Sequence, residues 1–273
     1  MSSYYGNYSP PSTPQSPTPT SGSTVLLLNR QDSSESNLRN RVATAASKRK
    51  KYLRRIFKFR QMDFEYALWQ MLFLFVSPQK VYRNFAYRKQ TKNQWARDDP
   101  AFLILLFLWL TISSIGFSLV LKLGFAGFIK FWLWVIFIDC VGVGVVIATI
   151  MWFVANNYLL PEGSKADVEW GYSFDVHLNA FFPLLMILHL FQLPFLAFMN
   201  HNFLSLLFGN TLWLFAIGYY VYISFLGYSA LPFLKKTRVI LIPMTVAFMF
   251  YLISVIVGWN ISAALCAFYK HRV

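Results

Sequence analysis

Several long stretches of the chain carry no charged side chain. Residues 100–121, 202–234 and 239–269 are examples, and they are 22, 33 and 31 residues long. A helix needs about 20 apolar residues to cross a bilayer, and these runs are continuous rather than alternating as in a membrane β-barrel. The pattern predicts an all-α, multi-pass transmembrane helix bundle. We expect five spans, at about residues 100–121, 131–155, 174–199, 204–226 and 242–265.

The chain before the first span divides into two parts. Residues 1–47 form a Ser/Thr/Pro-rich tail that is short of core-forming residues, and we predict that this tail is disordered. Residues 48–99 form a basic, aromatic segment at the membrane surface, and residues 100–273 form the transmembrane domain. Within the surface segment, Phe64–Val76 is apolar but only thirteen residues long. That length suits an interfacial or re-entrant helix.

Positive charge is concentrated towards the N-terminus. Residues 1–99 hold 17 Lys and Arg against 6 Asp and Glu, a net charge of +11, whereas the rest of the chain holds 8 against 5, a net charge of +3. Positively charged flanks remain in the cytosol, so we expect the N-terminus to face the cytosol. With five spans, this orientation also places Lys235, Lys236 and Arg238 on the cytosolic side, and the basic C-terminal tip on the opposite side.

The densest group of basic residues precedes the transmembrane domain, and we name it the basic segment. Its eight members are Lys48, Arg49, Lys50, Lys51, Arg54, Arg55, Lys58 and Arg60. Leu53, Ile56 and Phe57 recur among them at helical spacing, which predicts a basic amphipathic helix. Such a helix suits the anionic lipids of the cytosolic leaflet, and its charges would also attract RNA phosphates. With a membrane domain next to it, lipid headgroups or a protein partner are the favoured contacts.

Polar side chains within the predicted spans are candidates for an intramembrane site, because lipid makes such groups costly. On a helix that turns about 100° per residue, Asp175, Asn179 and His189 fall on one face of the third span. His177 lies about 200° from Asp175 and should point away from it. Asp139 lies in the second span, next to two glycines that would allow a neighbouring helix to approach closely.

These polar residues allow two interpretations. In the first, they form a proton path, a substrate path or a lipid-headgroup site of a small transporter or membrane enzyme. In the second, they form a hydrogen-bonded clamp between helices, in which Asp139 is neutral or bonded to Asn179 or a histidine. We favour the clamp, because transporters usually carry more polar groups at depth and often contain an inverted repeat.

The sequence contains no motif of a known catalytic, cofactor or metal site. It has no Gly-x-Ser-x-Gly nucleophile elbow, no His-Glu-x-x-His zinc motif and no cluster of cysteines. The two cysteines, Cys140 and Cys266, lie apart in apolar spans. We therefore predict that the protein is not an enzyme and holds no cofactor.

Several stretches beyond residue 47 are specific enough to compare with known families. They are Tyr52–Glu65, Tyr82–Pro100, Ile138–Gly144, Asp167–Phe181, Gly227–Pro232 and Phe268–Val273. On these stretches the chain resembles the Unc-fifty family, a group of multi-pass membrane proteins of the early secretory pathway. The resemblance covers about residues 48–273.

The resemblance implies a non-enzymatic protein of the Golgi membrane, with a second pool in the inner nuclear membrane. It implies a role in the assembly or cell-surface delivery of receptors, notably nicotinic acetylcholine receptors. The partners that it implies are receptor subunits, guanine-nucleotide exchange factors for Arf GTPases, and RNA, in addition to membrane lipids. We place the RNA or anionic-lipid contact on the basic segment as a hypothesis.

Overall fold

Helices form every regular element in the part of the chain that the structure describes. The computed structural model describes residues 59–90, 95, 97, 99–164, 166–196 and 202–272. The predicted tail at residues 1–47 and the first seven members of the basic segment lie outside these residues. Arg60, the last member of the basic segment, is described and exposed to solvent.

Five helices among the described residues are long and apolar enough to cross a membrane. Two shorter helices precede them and one follows. In chain order the helices are α1 (Phe64–Val76), α2 (Pro78–Gln90), α3 (Ala101–Val120), α4 (Phe125–Leu159), α5 (Trp170–Leu196), α6 (Phe203–Ser229), α7 (Thr237–Val257) and α8 (Ile261–Arg272). This arrangement confirms the predicted all-α, multi-pass membrane protein.

The ends of two spans differ from the prediction. Helix α4 starts at Phe125 rather than near residue 131, so Lys130 lies within its first turns. Helix α7 ends at Val257 rather than near residue 265. Gly258 follows with a φ of +75°, a left-handed conformation that glycine adopts at no steric cost and that commonly ends a helix. The chain then turns and continues as α8.

Helix α1 packs on the bundle through one face. Asp63 caps its N-terminus, because the Asp63 side chain accepts a hydrogen bond from the backbone N–H of Tyr66 at 2.9 Å. The buried face carries Ala67, Gln70, Met71 and Leu74. At its far end, the Tyr219 hydroxyl of α6 donates to the Leu74 carbonyl oxygen at 2.8 Å. These contacts hold the short helix against the spans.

Helix α5 lies at the centre of the bundle, and α7 lies at its edge. In the most apolar stretch of 18 residues in each helix, 56% of α5 is buried, compared with 11% of α7. Helix α5 meets α6 closely at Gly227, where a Cβ atom would lie only 2.9 Å from both γ-carbons of Val176. A glycine at this crossing lets the two backbones approach, as small residues do in membrane bundles. The polar residues of α5 are therefore surrounded by other parts of the protein on several sides.

Candidate functional site

A group of polar side chains connects the segment before α3 to the N-terminal half of α5. The backbone N–H of Arg97 donates to Asp175 Oδ2 at 2.6 Å, and Arg97 Nη2 donates to Asn179 Oδ1 at 2.6 Å. Arg97 Nε also lies 3.8 Å from Asp175 Oδ1. Asp175 and Asn179 are four residues apart on a helix, so both side chains face the same arginine.

Helices α1 and α2 each add one side chain to this group. Gln70 Nε2 donates to Asn179 Oδ1 at 3.0 Å, and Asn179 Nδ2 donates to the Tyr82 hydroxyl at 3.4 Å. Burial raises the pKa of the Tyr82 hydroxyl, which therefore stays protonated at neutral pH. We name Gln70, Tyr82, Arg97, Asp175 and Asn179 the Arg97 cluster.

The charges of the Arg97 cluster are largely removed from water. The Arg97 and Asp175 side chains are 13% and 16% exposed, and the guanidinium carbon of Arg97 lies 4.1 Å from the centre of the Phe102 ring. A guanidinium over an aromatic face gains a cation–π attraction in addition to its ion pair. Within the cluster, the positive charge of Arg97 is balanced by the negative charge of Asp175. The cluster also joins the surface helices α1 and α2 to α5.

His177 belongs to a different polar contact, on another side of α5. Its Nε2 lies 3.2 Å from the Cys140 carbonyl oxygen of α4, and its Nδ1 lies 2.8 Å from the Tyr220 hydroxyl of α6. A carbonyl oxygen only accepts hydrogen bonds, so Nε2 carries the proton and Nδ1 accepts from Tyr220. A Cβ atom at Gly144 would lie 2.6 Å from the imidazole ring. As the helical spacing predicted, His177 and Asp175 face different partners.

Asp139 binds the C-terminal helix rather than α5. The Tyr269 hydroxyl of α8 donates to Asp139 Oδ2 at 2.7 Å. Of the alternatives for Asp139 in the clamp, the bond to Asn179 or a histidine is therefore wrong, and the neutral carboxyl stays a prediction. Asp139 lies in a π-helical segment of α4, Val135–Gly142, whose wider turn displaces side chains from the directions of a regular α-helix.

His189 does not join the Arg97 cluster, although its angle on the helix favoured the face of Asp175. Fourteen residues of helix span about 21 Å, so the two side chains are too far apart to contact. His189 also lies in a π-helical segment, Met186–Phe191. Its ring packs against Phe117 of α3, with 4.7 Å between the ring centres. It is part of the hydrophobic packing at the other end of α5.

Sequence patterns do not reveal the residues that complete these sites. Arg97, Tyr82 and Tyr269 fall in surface or terminal segments, and Gln70 interrupts the apolar run Phe64–Val76. The interruption was a usable signal, because a buried amide needs a hydrogen-bond partner. In the described part of the chain, no group of three or more His, Cys, Asp or Glu side chains could hold a metal ion.

Comparison with known proteins extends over most of the chain. The family model of the UNC-50 family matches residues 52–270. The chain belongs to the UNC-50 family. It is 62% identical over 233 residues to the protein unc-50 homolog of Homo sapiens, covering 84% of this chain and 90% of that one. It is 53% identical over 264 residues to the protein unc-50 homolog of Drosophila melanogaster, covering 95% and 96%. No solved structure matches the chain.

The part of the chain matched to the UNC-50 family contains all the polar contacts described above. The five residues of the Arg97 cluster lie within it, as do Asp139, His177 and Tyr269. The match begins at residue 52, inside the basic segment, and leaves the Ser/Thr/Pro-rich tail outside. The membrane bundle and the surface helices α1 and α2 are therefore the UNC-50 part of this protein.

Proposed function

We propose that this UNC-50 protein is a non-enzymatic trafficking factor of the Golgi membrane. It supports the assembly or cell-surface delivery of receptors of the nicotinic acetylcholine type. It does so by recruiting Arf exchange factors to the cytosolic surface of the membrane, and the basic segment is the contact for these factors, for anionic lipid or for RNA. Membership of the UNC-50 family over residues 52–270 is the observation that carries this proposal.

The contacts inside the bundle support an anchoring role for the spans. Asp175 is held by Arg97, Asp139 by Tyr269, and His177 by Tyr220 and a carbonyl oxygen. Each of these contacts joins α4 or α5 to a different element of the chain, which favours structural clamps over a continuous polar path. A small transporter or membrane enzyme that uses Asp139, Asp175, Asn179 and His189 is the weaker alternative.

The exposed charges near the surface helices support recruitment on the cytosolic side. Arg60, Lys80 and Arg83 are exposed before the first span, Lys235 is exposed before the last span, and Arg238 is exposed in the first turn of that span. Four spans separate the two groups, so we expect all five residues on one side of the membrane. The positive-inside rule assigns that side to the cytosol.

Neutralising the basic segment should remove its partners from the protein. We expect proximity labelling from the N-terminus to mark Arf exchange factors in cells that express the native chain. Changing all eight basic residues of the segment to glutamine should reduce that labelling more than ~tenfold, because each basic residue near an anionic leaflet contributes about 1 kcal/mol. The measurement is quantitative mass spectrometry of the labelled proteins.

The control for this experiment changes Arg30, Arg39 and Arg41 in the tail to glutamine and should keep the labelling. Both variants must reach the Golgi in equal amounts, which immunofluorescence establishes. Unchanged labelling in the variant with eight substitutions would show that the basic segment does not contact the exchange factors. Crosslinking of RNA to the same variants tests the nucleic-acid part of the proposal separately.

Conservative changes at the two partly buried carboxylates distinguish a trafficking factor from a transporter or enzyme. Asp139→Asn and Asp175→Asn keep the size of each side chain and remove its charge. If the bundle is an anchor, variants that fold and reach the Golgi should deliver receptors to the cell surface within about twofold of the native protein, because surface electrostatics supply the recruitment. Surface labelling of the receptor measures this. Complete loss of delivery by correctly located protein would favour the transporter or enzyme.

A further inference from the structure

A groove of about 830 Å³ lies between α6 and α7, within the spans. This volume falls in the range of roughly 300–1,000 Å³ that is usual for small-molecule sites. Its walls are mainly apolar and aromatic. The residues that matter here are Phe215, Gly218 and Tyr222 on α6, and Leu241, Thr245 and Phe248 on α7. Since both helices cross the membrane, hydrophobic chains of lipid size have direct access to the groove.

Two arginines share helix faces with residues at one end of this groove. Gln79 Nε2 donates to the Tyr222 hydroxyl at 3.0 Å, which attaches α2 to the groove end. Arg83 lies four residues after Gln79 and so shares its helix face. Arg238 lies three residues before Leu241 in the 3₁₀ turn Thr237–Leu241, where residues three apart stand above one another.

The charged end of the groove faces the cytosolic leaflet. Arg83 and Arg238 are both exposed, and Lys235 and Lys236 lie in the same connection between α6 and α7. The positive-inside rule assigns this side to the cytosol. That leaflet carries the anionic phospholipids, whose headgroups are attracted to clustered Lys and Arg.

We propose that the groove binds one anionic phospholipid from the cytosolic leaflet. Its acyl chains lie between the aromatic walls formed by Phe215 and Phe248, and its phosphate contacts Arg83 and Arg238. The charge complementarity at one end and the apolar walls along the rest match the two halves of such a lipid. This site is separate from the basic segment and does not depend on the trafficking role.

Photo-crosslinking to purified full-length protein tests the proposal. The protein is placed in nanodiscs that contain phosphatidylcholine and a small fraction of phosphatidylserine with a diazirine on one acyl chain. We expect crosslinks on α6 and α7 at the groove residues, and about tenfold more labelling than with the matching photoactivatable phosphatidylcholine. Crosslinks spread evenly over the outer faces of the bundle would overturn the proposal.

Filling the groove should displace the lipid. Gly218→Phe and Thr245→Phe each place a ring in the groove from opposite walls, and we expect each to reduce phosphatidylserine labelling at least ~fivefold, since the groove volume is lost. Thr245 is exposed, so its replacement disturbs no buried packing. Gly218→Ala is the control, because a Cβ atom there lies 3.7 Å from Met244 Cε, an ordinary contact. Native labelling in both filled variants would refute the site.

The arginines should determine which headgroup is preferred. Arg83→Gln with Arg238→Gln should bring phosphatidylserine labelling down to the level of phosphatidylcholine, whereas Lys122→Gln with Lys270→Gln, at other positions in the chain, should leave the preference intact. A photoreactive residue at position 245 in cells identifies the native occupant. A lipid adduct supports the proposal, and adducts with a protein helix instead would overturn it.

Discussion

Replacing Arg97 with alanine is expected to cost about 3 kcal/mol of unfolding free energy, the scale of breaking a buried ion pair by removing one partner. The change takes away the guanidinium that binds Asp175 and Asn179 in a site where both charged side chains are mostly buried. The connection between the surface helices and α5 should loosen at the same time. Unfolding of the purified protein by SDS in mixed micelles, followed by circular dichroism, measures the loss.

Arg83→Ala is the matched control, because Arg83 is exposed on α2 and its removal should change stability by no more than about 0.5 kcal/mol. A double-mutant cycle with Asp175→Asn isolates the pair. We expect a coupling energy of at least about 1 kcal/mol between the two positions. If Arg97→Ala were no more destabilising than Arg83→Ala, the Arg97 cluster would not hold the surface helices to the bundle.

The five spans could be predicted from the sequence because lipid imposes one simple requirement, a helix of about 20 apolar residues. The same requirement does not show where α7 ends. Residues 239–269 are free of charge, so the break at Gly258 and the separate helix α8 leave no gap in the apolar pattern. A glycine followed by Trp259 and Asn260 is the only local sign of the turn.

The polar contacts could be predicted only in part, for two physical reasons. Helical spacing correctly placed Asp175 and Asn179 together, because that relation lies within one helix. Their partner Arg97 is 78 residues from Asp175 in the sequence, and no periodicity records such a contact. Distance along the helix axis is the second reason, since a shared angle on α5 does not show that His189 lies about 21 Å from Asp175.

Asn210→Leu is expected to cost about 3–5 kcal/mol, because three groups inside the bundle would lose a hydrogen-bond partner at about 1–3 kcal/mol each. Asn210 is fully buried on α6. Its Nδ2 donates to Ser254 Oγ at 3.0 Å and to the Trp259 carbonyl oxygen at 2.8 Å, and its Oδ1 accepts from the Ile261 N–H at 3.0 Å. SDS unfolding measures the free energy, and hydrogen exchange of the Ile261 amide measures the local loosening.

The Asn210 amide pairs with two backbone groups of the turn between α7 and α8, which would otherwise be unsatisfied inside the membrane. Asn157→Leu is the control, because Asn157 is exposed and its Nδ2 donates only within its own helix, to the Phe153 carbonyl oxygen. Loosening of the turn should extend along α8 and weaken the contact between Tyr269 and Asp139. If the Ile261 amide stayed as protected as in the native protein, the position of α8 would depend on its other contacts rather than on Asn210.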